Sequence, residues 1–193
     1  ALRDMPHRDW FHRIPTSGVR NKCMYRAYLR SRSLGAEFER GAYDSFEDAV
    51  RHLNDKVWRY MTAHGASDDA IRIADPHAAH MTDDRHLQAL ANVECALLLV
   101  AEAPHGFEFT QIWPSTVDSI TRVAFLENRH VGHFVALCPK AAHRPRVQSY
   151  LSLIMRERPV AVVARATSAH CTSQRRAHTK RTGEIDGSGT RAT

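Results

Sequence analysis

The stretch CALLLVA, residues 95–101, is apolar at every position, short, and closed by EAPHG at 102–106. Such a run reads as a strand buried on both faces, and it falls far below the roughly 20 residues that a membrane-spanning helix needs. Upstream, Asp84 can cap a helix whose Leu87, Leu90 and Val93 recur at helical spacing and which runs directly into that strand. Downstream, FEFTQIW (107–113) alternates and stops at Pro114; RVAFLE (122–127) and HFVALC (133–138) follow, joined by the polar NRHVG. The second half of the chain is therefore a run of strands.

The first half reads as helices. Ser45 and Asp48, three residues apart, form a capping pattern ahead of Phe46, Val50, Leu53, Val57, Tyr60 and Met61, whose 3.6-residue period lasts until Gly65. Met24, Ala27, Tyr28 and Leu34 mark a second helix starting at Cys23, with Gly35 as its stop. Residues 1–21 read as an irregular lead-in, and 66–82 give mixed signals, with Pro76 interrupting any long helix. Past the strands, VQSYLSLIMRER reads as a helix and VAVVA (160–164) as a last short strand. Helices followed by strands imply an α+β domain, with helices packed on a small, mostly antiparallel sheet.

At 193 residues, 43% hydrophobic and 25% charged, the chain has room for one domain with a real core, read here as residues 1–165. Residues 166–193 are rich in Ser, Thr, Gly, Arg and Lys and read as a flexible basic tail; the segment from Arg165 onward carries +4 of the formal +6. That tail suits a solubilising linker, or salt-sensitive contact with nucleic acid, the linker being favoured because no aromatics are interleaved for stacking. The four cysteines show no CxxC pair, which points to a reducing compartment and a cytoplasmic location. No signal-peptide pattern heads the sequence, and a first residue of Ala fits an excised or processed piece of a longer polypeptide.

Chemistry concentrates on NKCMYRAYLR, residues 21–30, which puts Cys23 at a helix start behind the bend SGVRNK. A cysteine attacks carbonyls as its thiolate, and a helix N-terminus and a neighbouring histidine both favour that form. Backbone N–H groups at Arg20, Asn21, Lys22 and Cys23 are placed to hold a developing oxyanion. Among 13 histidines, His133 is singled out because it opens a strand at a sheet edge directly after Gly132, 110 residues beyond Cys23. His130, in the preceding loop, is the competing base. A cysteine taken alone is more often a small buried hydrophobe, so the catalytic reading rests on Cys23 and His133 together and expects the sulfur at the mouth of a groove. Cys95 and Cys138 fall on core segments and read as inert thiols.

NKCMYRA resembles the nucleophile segment of ovarian-tumour-type (OTU) cysteine proteases, where an Asp-Gly-Asn-Cys turn leads into a helix with an aromatic two residues after the Cys. GHFVAL (132–137) resembles their histidine strand. DDRHLQALANVECA, LLLVAEA and FEFTQIW follow in the order that family uses, over about residues 10–140, and the compact spacing is most similar to the OTU domains of RNA viruses. The resemblance implies a papain-like, OTU-like α+β fold and a thiol protease. It would remove ubiquitin or ubiquitin-like proteins from conjugates, with a viral polyprotein as a second target, in the host cytoplasm if viral. It also implies catalysis without metal or organic cofactor.

Two departures stand out. Arg20, Asn21 and Lys22 replace Asp-Gly-Asn, removing the glycine that eases a tight turn. Val135 stands where the family often has an Asp or Asn to orient the imidazole, leaving either a Cys–His dyad or Asn128 as substitute, with Asp4 and Asp9 as remoter options. Trp113 and Phe134 are positioned to flank a narrow channel for a Gly-Gly peptide, with plain core packing as the alternative. His77, His80 and His86 have HxxH spacing, yet no cysteine pair or carboxylate pattern completes a metal site, and HCTSQRRAH (170–178) is weaker still. The rival to a hydrolase is a non-catalytic OTU-like or other α+β module binding RNA or a protein partner through its basic end.

Overall fold

A computed structural model of the chain describes residues 6–32, 45–77, 83–102, 107–115, 120–130 and 133–157. Backbone proximity divides the chain into Ala1–Arg158 and Pro159–Thr193; the fold below belongs to the first unit. The expected strand VAVVA and the basic tail lie outside the described residues.

The CALLLVA run forms strand β2, Ala96–Glu102, near the centre of a five-stranded mixed sheet. Its alternation serves two cores at once. Ala96, Leu98 and Val100 join a cluster with the first helices, while Leu97, Leu99 and Ala101 join a second cluster on the opposite face. Leu97, Leu98 and Leu99 are all fully buried, each contributing about 2 kcal/mol through apolar area removed from water. A run without a polar face is what a strand covered on both sides requires.

The other strands are β1 (Phe11–Ile14), β3 (Phe109–Ile112), β4 (Arg122–His130) and β5 (His133–Pro139), in the order β1-β5-β4-β2-β3. β2 and β4 are parallel, from Ala96 opposite Arg122 to Glu102 opposite Asn128; every other pairing is antiparallel. The α+β reading with a mostly antiparallel sheet therefore describes this molecule. β1 corrects the expected irregular lead-in: Phe11 to Ile14 pair with Pro139 to Ala136 and form one edge of the sheet.

Among the described residues four α-helices precede β2: α1 (Cys23–Arg32), α2 (Phe46–Ala63), α3 (Asp68–Ala74) and α4 (Asp84–Glu94); α5 (Arg144–Arg156) follows the sheet. The Ser45 hydroxyl caps α2 by accepting from the Asp48 N–H at 3.2 Å. α3 corrects the mixed reading of 66–82, since Ser67 caps a short helix there, its hydroxyl accepting from the Ala70 N–H at 3.3 Å. The cap of α4 is Asp83, one residue earlier than expected, with the His86 ring reaching back to the Asp83 N–H at 3.1 Å.

α1 lies across β4 and β5, and one buried hydroxyl fixes its seat. Ser31 donates to the Leu137 carbonyl at 3.2 Å and accepts from the Phe125 N–H at 2.7 Å, joining the helix to two strands. Phe134 and Ala136 of β5 share the helical cluster with Cys23, Met24 and Tyr25. Leu137 belongs to the opposite cluster with Trp10, Phe11, Phe125 and the inward residues of α5, Val147, Tyr150 and Ile154. The end of the sheet where β5 begins is thus the end at which the segment leading into α1 arrives.

Candidate active site

The sequence puts Cys23 where α1 starts, and the segment before it shows how that start is held. Residues Val19–Asn21 form a short 3-10 turn in which Arg20 and Asn21 both take φ of 53°. Two successive left-handed residues, one of them an arginine, cost energy that a glycine would not. The missing glycine of the resembled family has therefore not straightened the chain; the turn is made under strain, and its surroundings hold it there.

Three side chains supply that hold. The Thr16 hydroxyl donates to the Phe134 carbonyl, tying the segment ahead of the turn to the residue immediately after His133. The Arg26 guanidinium, buried one turn into α1, donates to the carbonyls of Ser17 (3.1 Å) and Val19 (2.8 Å) and grips both Glu47 carboxylate oxygens, at 3.0 and 2.7 Å. That grip holds the Glu47 carboxyl below its usual range. Lys22 is 5% exposed, and its Nζ donates to the carbonyl of Asp75 at the end of α3, at 3.1 Å. Burial brings the Lys22 ammonium down to about 8; the Asp75 charge opposes this, and Arg20 and Arg26 assist it.

Backbone bonding narrows the oxyanion donors. The Asn21 N–H is used by the Gly18 carbonyl at 2.8 Å, the Lys22 N–H by Val19 at 3.4 Å, and the Arg26 N–H by Lys22 at 3.2 Å. The Asn21 and Lys22 N–H groups are thus engaged within the turn, whereas the first-turn amides of α1 precede the helix's own hydrogen bonds.

Cys23 is a thiol, not part of a disulfide, and only 3% exposed. It is more covered than the expected sulfur at a groove mouth. Two grooves flank α4, one lined by Leu87, Val100 and Ile112 and the other by Tyr60, His64 and Arg85; neither is lined by Cys23 or His133. His133 is half-buried at the first position of β5 and faces His130 across the β4–β5 ladder. Strand alternation assigns His133 to the side of Val135 and Leu137, opposite the side on which Phe134 and Ala136 meet α1. The side chain of His130 lies outside the described residues.

Asn128 sits on β4 directly opposite Phe134, hence on the face turned toward α1. Its buried Oδ1 has no hydrogen-bond partner among the described residues, an acceptor left open where most are satisfied. Of the remoter acids, Asp9 is exposed beside His7 and Asp4 lies outside the described residues. Trp113 and Phe134 are both core side chains, at 8% and 2% exposure. Trp113 follows β3, separated from β5 by two intervening strands, about 14 Å away at the spacing of a sheet, so the two aromatics do not flank one channel.

Of the histidine group, His77 and His86 lie among the described residues, in different settings. His86 is fully buried as a helix cap, its Nε2 3.2 Å from the Ala70 carbonyl; His77 is exposed and His80 lies outside the described residues. No His, Cys, Asp or Glu cluster able to hold a metal occurs among the described residues. Burial pushes the Cys138 thiol up to about 11, so it is a protonated core residue at neutral pH, while Cys95 is half-buried and caps α4 with φ of 49°. No described helix is long and apolar enough to cross a membrane.

No protein-family model and no curated protein matches the chain. Solved structures of OTU domains do. The OTU deubiquitinase of Wolbachia pipientis wMel is 13% identical, with a TM-score of 0.47 over 75% of this chain and 99% of that one. The Hazara virus OTU bound to ubiquitin is 14% identical, with a TM-score of 0.45 over 69% and 84%. The OTU domain of human OTUD1 is 17% identical, with a TM-score of 0.43 over 66% and 83%. These structures are of the family that the sequence resembles; at such identities and scores the similarity says nothing about the chemistry of individual residues.

Proposed function

We propose that the chain is a cysteine-dependent hydrolase of the OTU type that removes ubiquitin or a ubiquitin-like protein from conjugates, with Cys23 as nucleophile and His133 as general base. One observation carries this reading: the segment entering Cys23 is strained into a left-handed turn and fastened by Thr16 to the residue after His133. A core cysteine has no need of such a turn; a nucleophile at a helix start does.

In the reaction, His133 takes the proton from Cys23 Sγ, and the thiolate forms a bond to the carbonyl carbon of the C-terminal glycine. First-turn amides of α1 hold the oxyanion. The proton passes from His133 to the leaving amine as the C–N bond breaks, and water deprotonated by the same imidazole releases the acyl group. Asn128 Oδ1 is the acceptor on hand for an imidazole N–H, and a polyprotein junction with a comparable extended tail is a second substrate of the same chemistry. The proposal requires the His133 ring to turn over the open end of the sheet toward Cys23.

The burial of Cys23 favours a second reading, in which the same fold is a non-catalytic module that binds RNA or a protein partner. A ubiquitin carrying a C-terminal propargyl or vinyl-sulfone warhead separates the two. The hydrolase reading predicts a covalent adduct that is absent in Cys23→Ala and forms about 100-fold or more slowly in His133→Ala. No adduct with folded wild-type protein selects the module.

A further inference from the structure

Arg20 occupies a position that asks for glycine. At φ of 53° a residue with a Cβ is strained, and a glycine there avoids the strain. Its charge is placed no more favourably. The guanidinium lies close enough to Lys22 to push that ammonium down, and Arg26 acts in the same direction. Those two neighbours are matched. Arg26 grips the Glu47 carboxylate at 3.0 and 2.7 Å, and Lys22 donates to the Asp75 carbonyl at 3.1 Å with the Asp75 charge in its favour. Arg20 is exposed, and its side chain has neither an ion pair nor a hydrogen bond among the described residues.

The mount that carries it is rigid. The Ser17 hydroxyl accepts from the Val19 N–H at 3.2 Å, the Val19 carbonyl accepts from Arg26 at 2.8 Å, and the Gly18 carbonyl accepts from the Asn21 N–H at 2.8 Å. A cation on such a turn has little backbone freedom left to lose when it meets a partner. Val19 beside it is 61% exposed, more than any other large apolar side chain among the described residues. Strain, like-charge neighbours and exposure all count against Arg20 within the folded chain, so the use of its side chain lies in a partner, and strained positions gather where partners bind. Three residues upstream of Cys23, its Cα is at most about 11 Å from that of the cysteine.

We propose that Arg20 is a specificity-determining residue whose guanidinium pairs with an Asp or Glu side chain flanking the acceptor lysine of the conjugate. This rests on the hydrolase reading. On the acyl side of the cleaved bond that reading puts glycine, which has no side chain to offer, so a carboxylate side chain beside the bond comes from the amine side. The planar guanidinium suits it, because two parallel N–H···O bonds to one carboxylate fix direction as well as charge.

The test compares two conjugates of ubiquitin, each joined through its C-terminal glycine to the lysine of a short peptide, with Glu flanking that lysine in one and Gln in the other. The readout is the ratio of kcat/KM for the two, which general damage to the fold or to the nucleophile leaves in place because both conjugates suffer alike. The wild-type chain is expected to cleave the Glu conjugate about fivefold faster, the ratio falling toward one in high salt. Arg20→Gly is expected to bring the ratio to one, Arg20→Lys to give an intermediate ratio, and Arg20→Glu to reverse the preference. A wild-type ratio of one, or a preference that survives in Arg20→Gly, overturns the proposal and leaves the hydrolase reading standing. Failure of folded wild-type protein to cleave either conjugate or to form the propargyl adduct overturns both.

Discussion

Arg20 and Lys22 are the residues at which local rules and the folded structure disagree most. Arg20 has no intrinsic reason to adopt φ of 53°, and the clamp of Thr16 and Arg26 imposes it. Arg20→Val is expected to cost about 1–2 kcal/mol, because a β-branched side chain tolerates that region least, whereas Arg20→Gly is expected to be neutral or stabilising; urea denaturation of the two variants checks this. Lys22 is expected to show in the pH dependence of stability. Its ammonium is near 8 when folded and 10.5 when unfolded, so between those values the unfolded chain holds the extra proton and stability rises with pH. The gain is bounded at about 3 kcal/mol. Cys138, pushed up to about 11, works in the opposite sense over an overlapping window, as do Tyr25 and Tyr28, both raised by burial, at higher pH. The informative quantity is therefore the difference between wild type and Lys22→Met, expected to be flat below pH 8 and to rise from there to about 10.5. The sequence located Cys23 at a helix start, but not its cover, because exposure is set by what other elements lay over a residue.

At the scale of elements, legibility followed length and pattern. β2 was readable since seven consecutive apolar positions, Cys95 to Ala101, admit one arrangement, and α2 because its period runs for five turns. β1 was not: Phe-His-Arg-Ile shows no clear alternation, and it is a strand because β5 offers an unpaired edge. α3 was missed since seven residues are too few for a period, leaving only Ser67 as a signal. β4 runs on to His130 because its ladder to β5 continues past Asn128, which brings that asparagine beside the histidine strand. Ser31 is the joint between α1 and the sheet, and Ser31→Ala leaves the Phe125 N–H and Leu137 carbonyl without their shared partner. That substitution is expected to cost about 1–3 kcal/mol in thermal denaturation and to slow probe labelling at Cys23. Little or no loss would show that α1 is seated by apolar contact alone.

For the whole molecule, a sheet covered on both faces gives this chain a well-formed core, and among the described residues both apolar clusters draw their buried members from residues 10–154. A chain ending at Arg158, the limit of the first compact unit, is expected to give the same circular dichroism and a melting temperature within a few degrees of the full chain. A large drop would mean that residues beyond 158 belong to the core. The general class of fold was legible because both cores are written in periodic apolar runs; the proposed pairing of Cys23 with a base was not, because it depends on which side of one strand end a single ring takes. That pairing is tested most directly by the pH dependence of Cys23 alkylation with iodoacetamide, followed by mass spectrometry of the peptide that carries it. Proton transfer from Cys23 to His133 predicts alkylation of the wild-type protein at neutral pH that is lost in His133→Ala. Reactivity that follows an ordinary thiol, or protection of Cys23 in both proteins alike, would contradict the account.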